Sequence, residues 1–268
     1  MKQGGQIPAA TGPQPASVTR LSRGLLVDTV FALILAYIPA VVFYLIIGAW
    51  LSISITTIAT ASIALLLLFI LLPLGLTAHD HERFGYANFV TALRAALTVF
   101  VAVTLLVGQI SNGNDKTLPT ILAVIFATLA LDGLDGWLAR HFHQASAFGA
   151  RFDMEIDALM ILVLSAAALL LGKAGFWVLL IGLMRYIFVI AQWIAPFMRR
   201  PLPPSFARKL ICVIQIGALC IILLPAVMPP VSALIAGLAL AALAFSFLRD
   251  TAYLLRHRND AGTPVHQD

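Results

Sequence analysis

Five of the chain's twelve acidic residues fall between positions 132 and 157, in the segment LDGLDGWLARHFHQASAFGARFDMEIDALMIL. Asp132 and Asp135 are three apart at the end of one apolar run, and Asp153 and Asp157 are four apart near the start of the next. If both runs are helical, each pair occupies one helix face, and the turn between the runs brings the two faces together. Four carboxylates converging at the edge of a low-dielectric bundle repel one another and resist ionisation unless cations neutralise them. An all-oxygen ligand set favours Mg²⁺ or Mn²⁺ over zinc. Two acids from each helix could bridge two such ions, the arrangement that clamps a transferring phosphoryl group. A solvated loop face is a poor account of this cluster, because its acids stand at helical spacing beside ILAVIFATLA and ALMILVLSAAALLL. Within such apolar runs each charge costs about 2.5–3.5 kcal/mol.

The surrounding residues fit a phosphate chemistry. Gly136, Ala139 and Gly149 remove bulk where a nucleotide or a neighbouring backbone approaches. Arg140 sits where it can pair with a phosphate or snorkel to the membrane surface. Glu155 faces another way, toward a packing or ion-pair role or toward a headgroup pocket. Arg185 lies midway along IGLMRYIFVIAQW and demands a partner or a task; phosphate binding and a structural pair with Glu155 are both open. Arg199, Arg200, Arg208 and Lys209 surround PLPPSFARK as an ordinary basic loop, although Arg208 and Lys209 begin a helix that could aim them into a cavity. His79 and His81 flank Asp80 in a solvated connector. His141 and His143 flank the acidic turn as interfacial residues, and Trp137 and Tyr86 mark the interface.

The elements that must hold these residues are membranous. The chain has 268 residues, 61% hydrophobic and 11% charged, with a net charge of +5 and a mean hydropathy of +0.98. A soluble fold is nearly excluded, and anionic lipid accounts for the basic excess without nucleic acid. Apolar runs near 25–48, 51–76, 88–109, 117–140, 149–171, 174–197, 208–228 and 230–254 predict eight transmembrane helices of an all-α polytopic protein. Pro39 and Pro73 fall inside the first two spans. Arg20, Arg23, Arg83, Arg140, Arg151, Arg199, Arg200, Arg208, Lys209, Arg249, Arg256 and Arg258 fall on one side, and only Lys116 and Lys173 on the other. The positive-inside rule therefore makes both termini cytoplasmic. Cys212 and Cys220 read as small buried hydrophobes. The organisation expected is a disordered cytoplasmic tail (1–24), an N-terminal hairpin of unknown purpose (25–77), a six-helix catalytic or transporting bundle (78–258) and a second tail (259–268).

Read as a pattern, D-G-L-D-G-W-L-A-R, eight residues, G-A-R-F-D-M-E-I-D resembles the signature of the CDP-alcohol phosphatidyltransferases. Asp132, Asp135, Gly136, Ala139, Arg140, Gly149, Asp153 and Asp157 fill its fixed positions. Asn88, Thr91 and Arg94 in ANFVTALR resemble the family's P-N-x-x-T-x-x-R opening of the first core helix, with Ala87 in place of proline. The resemblance implies a six-helix core with a cytoplasm-facing cavity for CDP-diacylglycerol, a small alcohol and two divalent cations, Mg²⁺ or Mn²⁺. It implies that Asp132, Asp135 and Asp153 ligate metal and that Asp157 is the general base while also touching the second ion. Gly133 would offer a backbone carbonyl, and Gly136, Ala139, Arg140, Gly149 and Thr91 would line the nucleotide site. Arg185, Arg208 and Lys209 would hold the phosphate of an acceptor such as glycerol 3-phosphate or inositol phosphate. A bacterial cytoplasmic membrane and a homodimer are also implied. The rival from another class is a cation-coupled transporter using the same acids, which would want them near the midplane rather than beside a turn.

Overall fold

The computed structural model describes residues 23–73, 84–108, 116–141, 146–195, 198 and 206–256. The tails, the connector with His79 and His81, His143, Arg199 and Arg200 lie outside the described residues. The described residues form eight helices: α1 (Arg23–Trp50), α2 (Ile55–Leu71), α3 (Tyr86–Leu106), α4 (Thr117–His141), α5 (Ala147–Leu170), α6 (Leu179–Ile194), α7 (Phe206–Leu223) and α8 (Val231–Arg256). There is no strand among them. Five, α1, α3, α4, α6 with its preceding turn, and α8, are long and apolar enough to cross a membrane, while α2 and α7 are shorter apolar helices. The protein is therefore an all-α polytopic membrane protein, since only closed backbone hydrogen bonding survives in hydrocarbon.

The ends differ from expectation where proline intervenes. Pro39 stays inside α1. Pro73, expected within the second span, lies beyond α2, which stops at Leu71. Its ring crowds the preceding turn and its nitrogen cannot donate. Pro225 similarly ends α7 at Leu223 rather than near 228. The sixth span begins with a 3-10 turn, Phe176–Val178, before the α-helix.

The third helix is the hub. It packs against α4 and α5 on one side and α1 and α2 on the other, while α5 also packs on α6 and α7, and α7 on α8. Fully buried Ala92 and Ala95 and nearly buried Ala96 let the neighbouring backbones approach closely. The N-terminal hairpin is anchored to this hub by specific contacts. Tyr44 donates to the Ala96 carbonyl at 2.6 Å and stacks on Phe100 at 5.2 Å. The carboxylate of Asp28 on α1 accepts the Phe84 N–H at 2.8 Å, satisfying a donor just ahead of α3.

At the opposite end from the acidic cluster, Lys173 is 4% exposed in the turn between α5 and α6. Its ammonium donates to the carbonyls of Leu224 at 3.0 Å and Val227 at 2.8 Å, just beyond the end of α7. Ser232 donates to the Lys173 carbonyl at 2.5 Å, which ties α8 to the same turn. Hydrogen bonds to charged groups contribute about 1.5–3 kcal/mol each. Replacing Lys173 with Met should therefore lower the melting temperature of the detergent-purified protein, by a stability loss of roughly 2 kcal/mol, without changing its metal affinity. Unchanged thermal unfolding would show that the ammonium does not hold these ends together.

Candidate active site

The acids come together. Oxygens of Asp132 on α4 and of Asp153 and Asp157 on α5 all lie within 4.8 Å of one another. Beneath them is Arg94 of α3, whose side chain is 2% exposed. Its Nη2 contacts Asp132 at 2.6 Å and Asp157 at 2.5 Å, and its Nη1 donates to Asp153. The three carboxylates keep 42%, 39% and 25% of their side-chain surface, in the order 132, 153, 157. One face of the cluster is thus closed by a guanidinium and the other is open. Asp135 follows Asp132 by one turn on α4; its side chain lies outside the described residues.

Arg94 is the residue whose part the sequence reading did not assign, although a signal existed. It is the one charged residue of a 21-residue apolar helix, and such an arginine needs acidic partners. Thr91, one turn earlier, is buried, and its hydroxyl donates to the Ala87 carbonyl at 3.1 Å.

The helix turn that brings Asp153 into place is set by Ser146, which caps α5 by accepting the Gly149 N–H at 2.9 Å. Gly149 is required here by close approach. A Cβ on it would stand 2.5 Å from the Asn88 Oδ1 and 3.1 Å from the Ser146 Oγ, so α5 could seat against α3 only if those side chains moved. Gly133 differs, because a Cβ there would meet nothing within 4 Å. It faces open space next to Asp132. Gly136 follows one turn after Asp132 on the same helix, as do Ala139 and Arg140 toward its end; the side chains of the last two lie outside the described residues.

A cavity of about 490 Å³ opens between α5, α6, α7 and α8, and Asp157, Arg185, Gln215, Ser246 and Asp250 contribute to its wall. Asp157 is ten residues from the start of α5, Arg185 nine from the end of α6, Gln215 nine from the start of α7 and Ser246 ten from the end of α8. At 1.5 Å per residue each stands roughly 14–15 Å in from its helix end, so the antiparallel packing gathers them at one level. Arg185 is held by Glu155, to which Nη2 and Nε donate. That ion pair accounts for Glu155, the one acid that the signature leaves unexplained. The Nη1 of Arg185 meets the thioether of Met154 at 2.9 Å, a weak acceptor that a phosphate oxygen would displace. Arg208 and Lys209 lie in the first turn of α7, the helix that carries Gln215 into the wall; their side chains lie outside the described residues.

The donor set fits a divalent cation. Carboxylates alone, clustered and open on one side, suit Mg²⁺ or Mn²⁺ and lack the nitrogen and sulfur ligands that zinc prefers. The separation of the oxygens allows two or three of them to share an ion.

Comparison with known proteins agrees with this chemistry. The family model of the CDP-alcohol phosphatidyltransferases matches residues 84–248, which spans α3 to most of α8 and leaves the hairpin outside. Two proteins of Mycobacterium tuberculosis, from strains CDC 1551 / Oshkosh and ATCC 25618 / H37Rv, are each named a probable phosphatidylglycerophosphate synthase. Each is 30% identical over 177 residues, covering 66% of this chain and 83% of its own length. No solved structure matches the chain.

Two consequences are measurable. Replacing Arg94 with Gln removes the cation that holds the carboxylates together, so the metal-free protein should lose about 2–3 kcal/mol. Added Mn²⁺ should then raise the melting temperature of this variant by more than it raises that of the wild type. Equal metal-induced shifts would show that Arg94 does not offset the carboxylates. Gly149→Ala should cost on the order of 1–3 kcal/mol through overpacking against Asn88, and a denaturation midpoint equal to the wild type's would contradict the close approach.

Proposed function

The chain belongs to the CDP-alcohol phosphatidyltransferase family, and on that premise we propose that it transfers the phosphatidyl group of CDP-diacylglycerol to glycerol 3-phosphate at the cytoplasmic face of a bacterial inner membrane. As a member it is an integral-membrane transferase of phospholipid synthesis that uses a CDP-linked donor, an alcohol acceptor and divalent cations. Membership decides for an enzyme over a cation-coupled transporter. The observation that carries the choice of acceptor is the named activity of the two mycobacterial relatives. The basic residues around the cavity, Arg185 in its wall and Arg208 and Lys209 at the start of α7, support it, because a phosphorylated acceptor needs cations that serine or choline would not.

In this reading Asp132, Asp135, Asp153 and Asp157 hold two divalent cations, which would neutralise the pyrophosphate of the donor. Asp157 is the general base. It belongs to the carboxylate cluster and also to the cavity wall, so an alcohol hydroxyl bound in the cavity has a proton acceptor beside the donor phosphate. Asp157 takes that proton, the alcohol oxygen attacks the lipid-side phosphorus in line, and CMP leaves. Arg185, steadied by Glu155, turns its remaining N–H groups to the acceptor phosphate, together with Arg208 and Lys209. Gly133 would offer its backbone carbonyl to a cation, Gly136 leaves room for the nucleotide, and Ala139, Arg140, Gly149 and Thr91 complete that side. The six helices from residue 78 to 258 form the catalytic unit, residues 25–77 an accessory hairpin, and 1–24 and 259–268 cytoplasmic tails. The distribution of Lys and Arg supports that orientation. The protein works as a homodimer.

Incubating the purified protein with CDP-diacylglycerol and a panel of alcohols, followed by mass analysis of the lipid, should yield phosphatidylglycerophosphate. Phosphatidylserine or phosphatidylinositol phosphate in its place would overturn the acceptor assignment. Asp157→Asn should lower kcat by about 10²–10⁴ while circular dichroism stays helical, and near-normal turnover would remove Asp157 as the base. Chelation should stop CMP release by the wild type, and full activity in metal-free buffer would refute the two-ion reading.

A further inference from the structure

The cavity that holds Asp157 contains a polar group with no task in the scheme above. Gln215 of α7 is 2% exposed, lines that cavity, and neither its amide nitrogen nor its amide oxygen has a hydrogen-bond partner among the described residues. A buried amide left open at both ends destabilises the protein that carries it, more so among apolar helices where leucine would fit. Much of the cavity wall is apolar, Ile211, Leu243 and Phe247 among its lining, and Ser246 contributes to it as well.

We propose that the Gln215 amide binds the acceptor's second hydroxyl, the one that does not attack, and so selects a polyol over a simple alcohol. The proposal deepens, and rests on, the reading that the acceptor enters this cavity as a phosphorylated alcohol. The complementarity follows from what each group can offer. An acyl chain satisfies neither end of the amide. An ester carbonyl of the donor lipid accepts but cannot donate. A hydroxyl does both through one oxygen, taking the Nε2–H and giving its proton to Oε1. Placement agrees with this division of labour. Gln215 and Asp157 stand about equally deep on facing helices, α7 and α5, which pack on one another. An alcohol whose attacking oxygen lies at Asp157 and whose phosphate lies toward Arg185 can therefore present its vicinal hydroxyl to Gln215. Gln215 is thus a specificity residue and takes no part in proton transfer.

The test compares the wild type with Gln215→Leu, using glycerol 3-phosphate and 3-hydroxypropyl phosphate, which lacks the vicinal hydroxyl. The wild type should prefer glycerol 3-phosphate in kcat/KM by about tenfold or more. In Gln215→Leu this preference should collapse toward unity, mainly through KM for glycerol 3-phosphate, with KM for CDP-diacylglycerol unchanged. Thermal unfolding separates a structural role, because the variant should be at least as stable as the wild type while losing the stabilisation that glycerol 3-phosphate alone confers. A variant that keeps the preference, or that is destabilised and loses both acceptors equally, overturns the proposal and leaves the acceptor reading standing. If the wild type releases CMP with neither acceptor yet does so with serine, the reading and the proposal fall together.

Discussion

The site depends on a buried guanidinium holding together charges that would otherwise drive its helices away from one another. Like carboxylates a few Å apart in a weakly polar medium repel strongly, and α4 and α5 bring three of them within 4.8 Å. Arg94 makes that convergence tolerable from below, while the exposed upper surfaces of the acids stay free for cations. Arginine suits the position better than lysine. Its planar fork reaches two helices at once, with Nη1 to Asp153 and Nη2 to Asp132 and Asp157, and it stays ionised when buried.

That arrangement places a demand on α3. A guanidinium can organise two neighbouring helices only if its own helix is fixed in height and rotation. The small alanines of α3 let its neighbours approach closely, and the hairpin grips the helix through Tyr44, which bonds the Ala96 carbonyl and stacks on Phe100, and through the Asp28 bond ahead of the helix. The hairpin lies outside the matched family region, yet it braces the helix that carries Arg94. Its contacts give α1 a physical role that its apolar sequence does not advertise.

Much of this was legible in the sequence, and the remainder was hidden for identifiable reasons. Helix number and approximate position follow from apolar run length, and the acidic spacing on two runs announces convergence before any coordinates exist. The helix ends at Leu71 and Leu223 were displaced because hydropathy does not register the backbone cost of Pro73 and Pro225. Lys173 looks like an ordinary loop cation, and only the tertiary arrangement shows it closing the end of α7. Gly149 reads as space for a nucleotide or for a neighbouring backbone, and the structure sets the Asn88 side chain of α3 against it. Arg185 admitted two readings, and the structure shows the pair with Glu155; the proposed phosphate contact would use the N–H groups that this pair leaves.

The choice of base among near-identical carboxylates can be argued from position. All three described acids touch Arg94, so contact with the guanidinium does not distinguish them. Asp132 and Asp153 are the more exposed pair, and neither lines the cavity between α5 and α8. Asp157 is the least exposed of the three and does line it. In the proposed mechanism the base would receive a proton from one substrate while the cluster held the other, and Asp157 stands where the cluster meets the cavity. Its helix carries Asp153 one turn earlier, so the proposed metal ligation and proton transfer would share one rigid element. A shift of α5 that spoiled one would spoil the other, and Gly149 packs closely on Asn88 at the start of this helix.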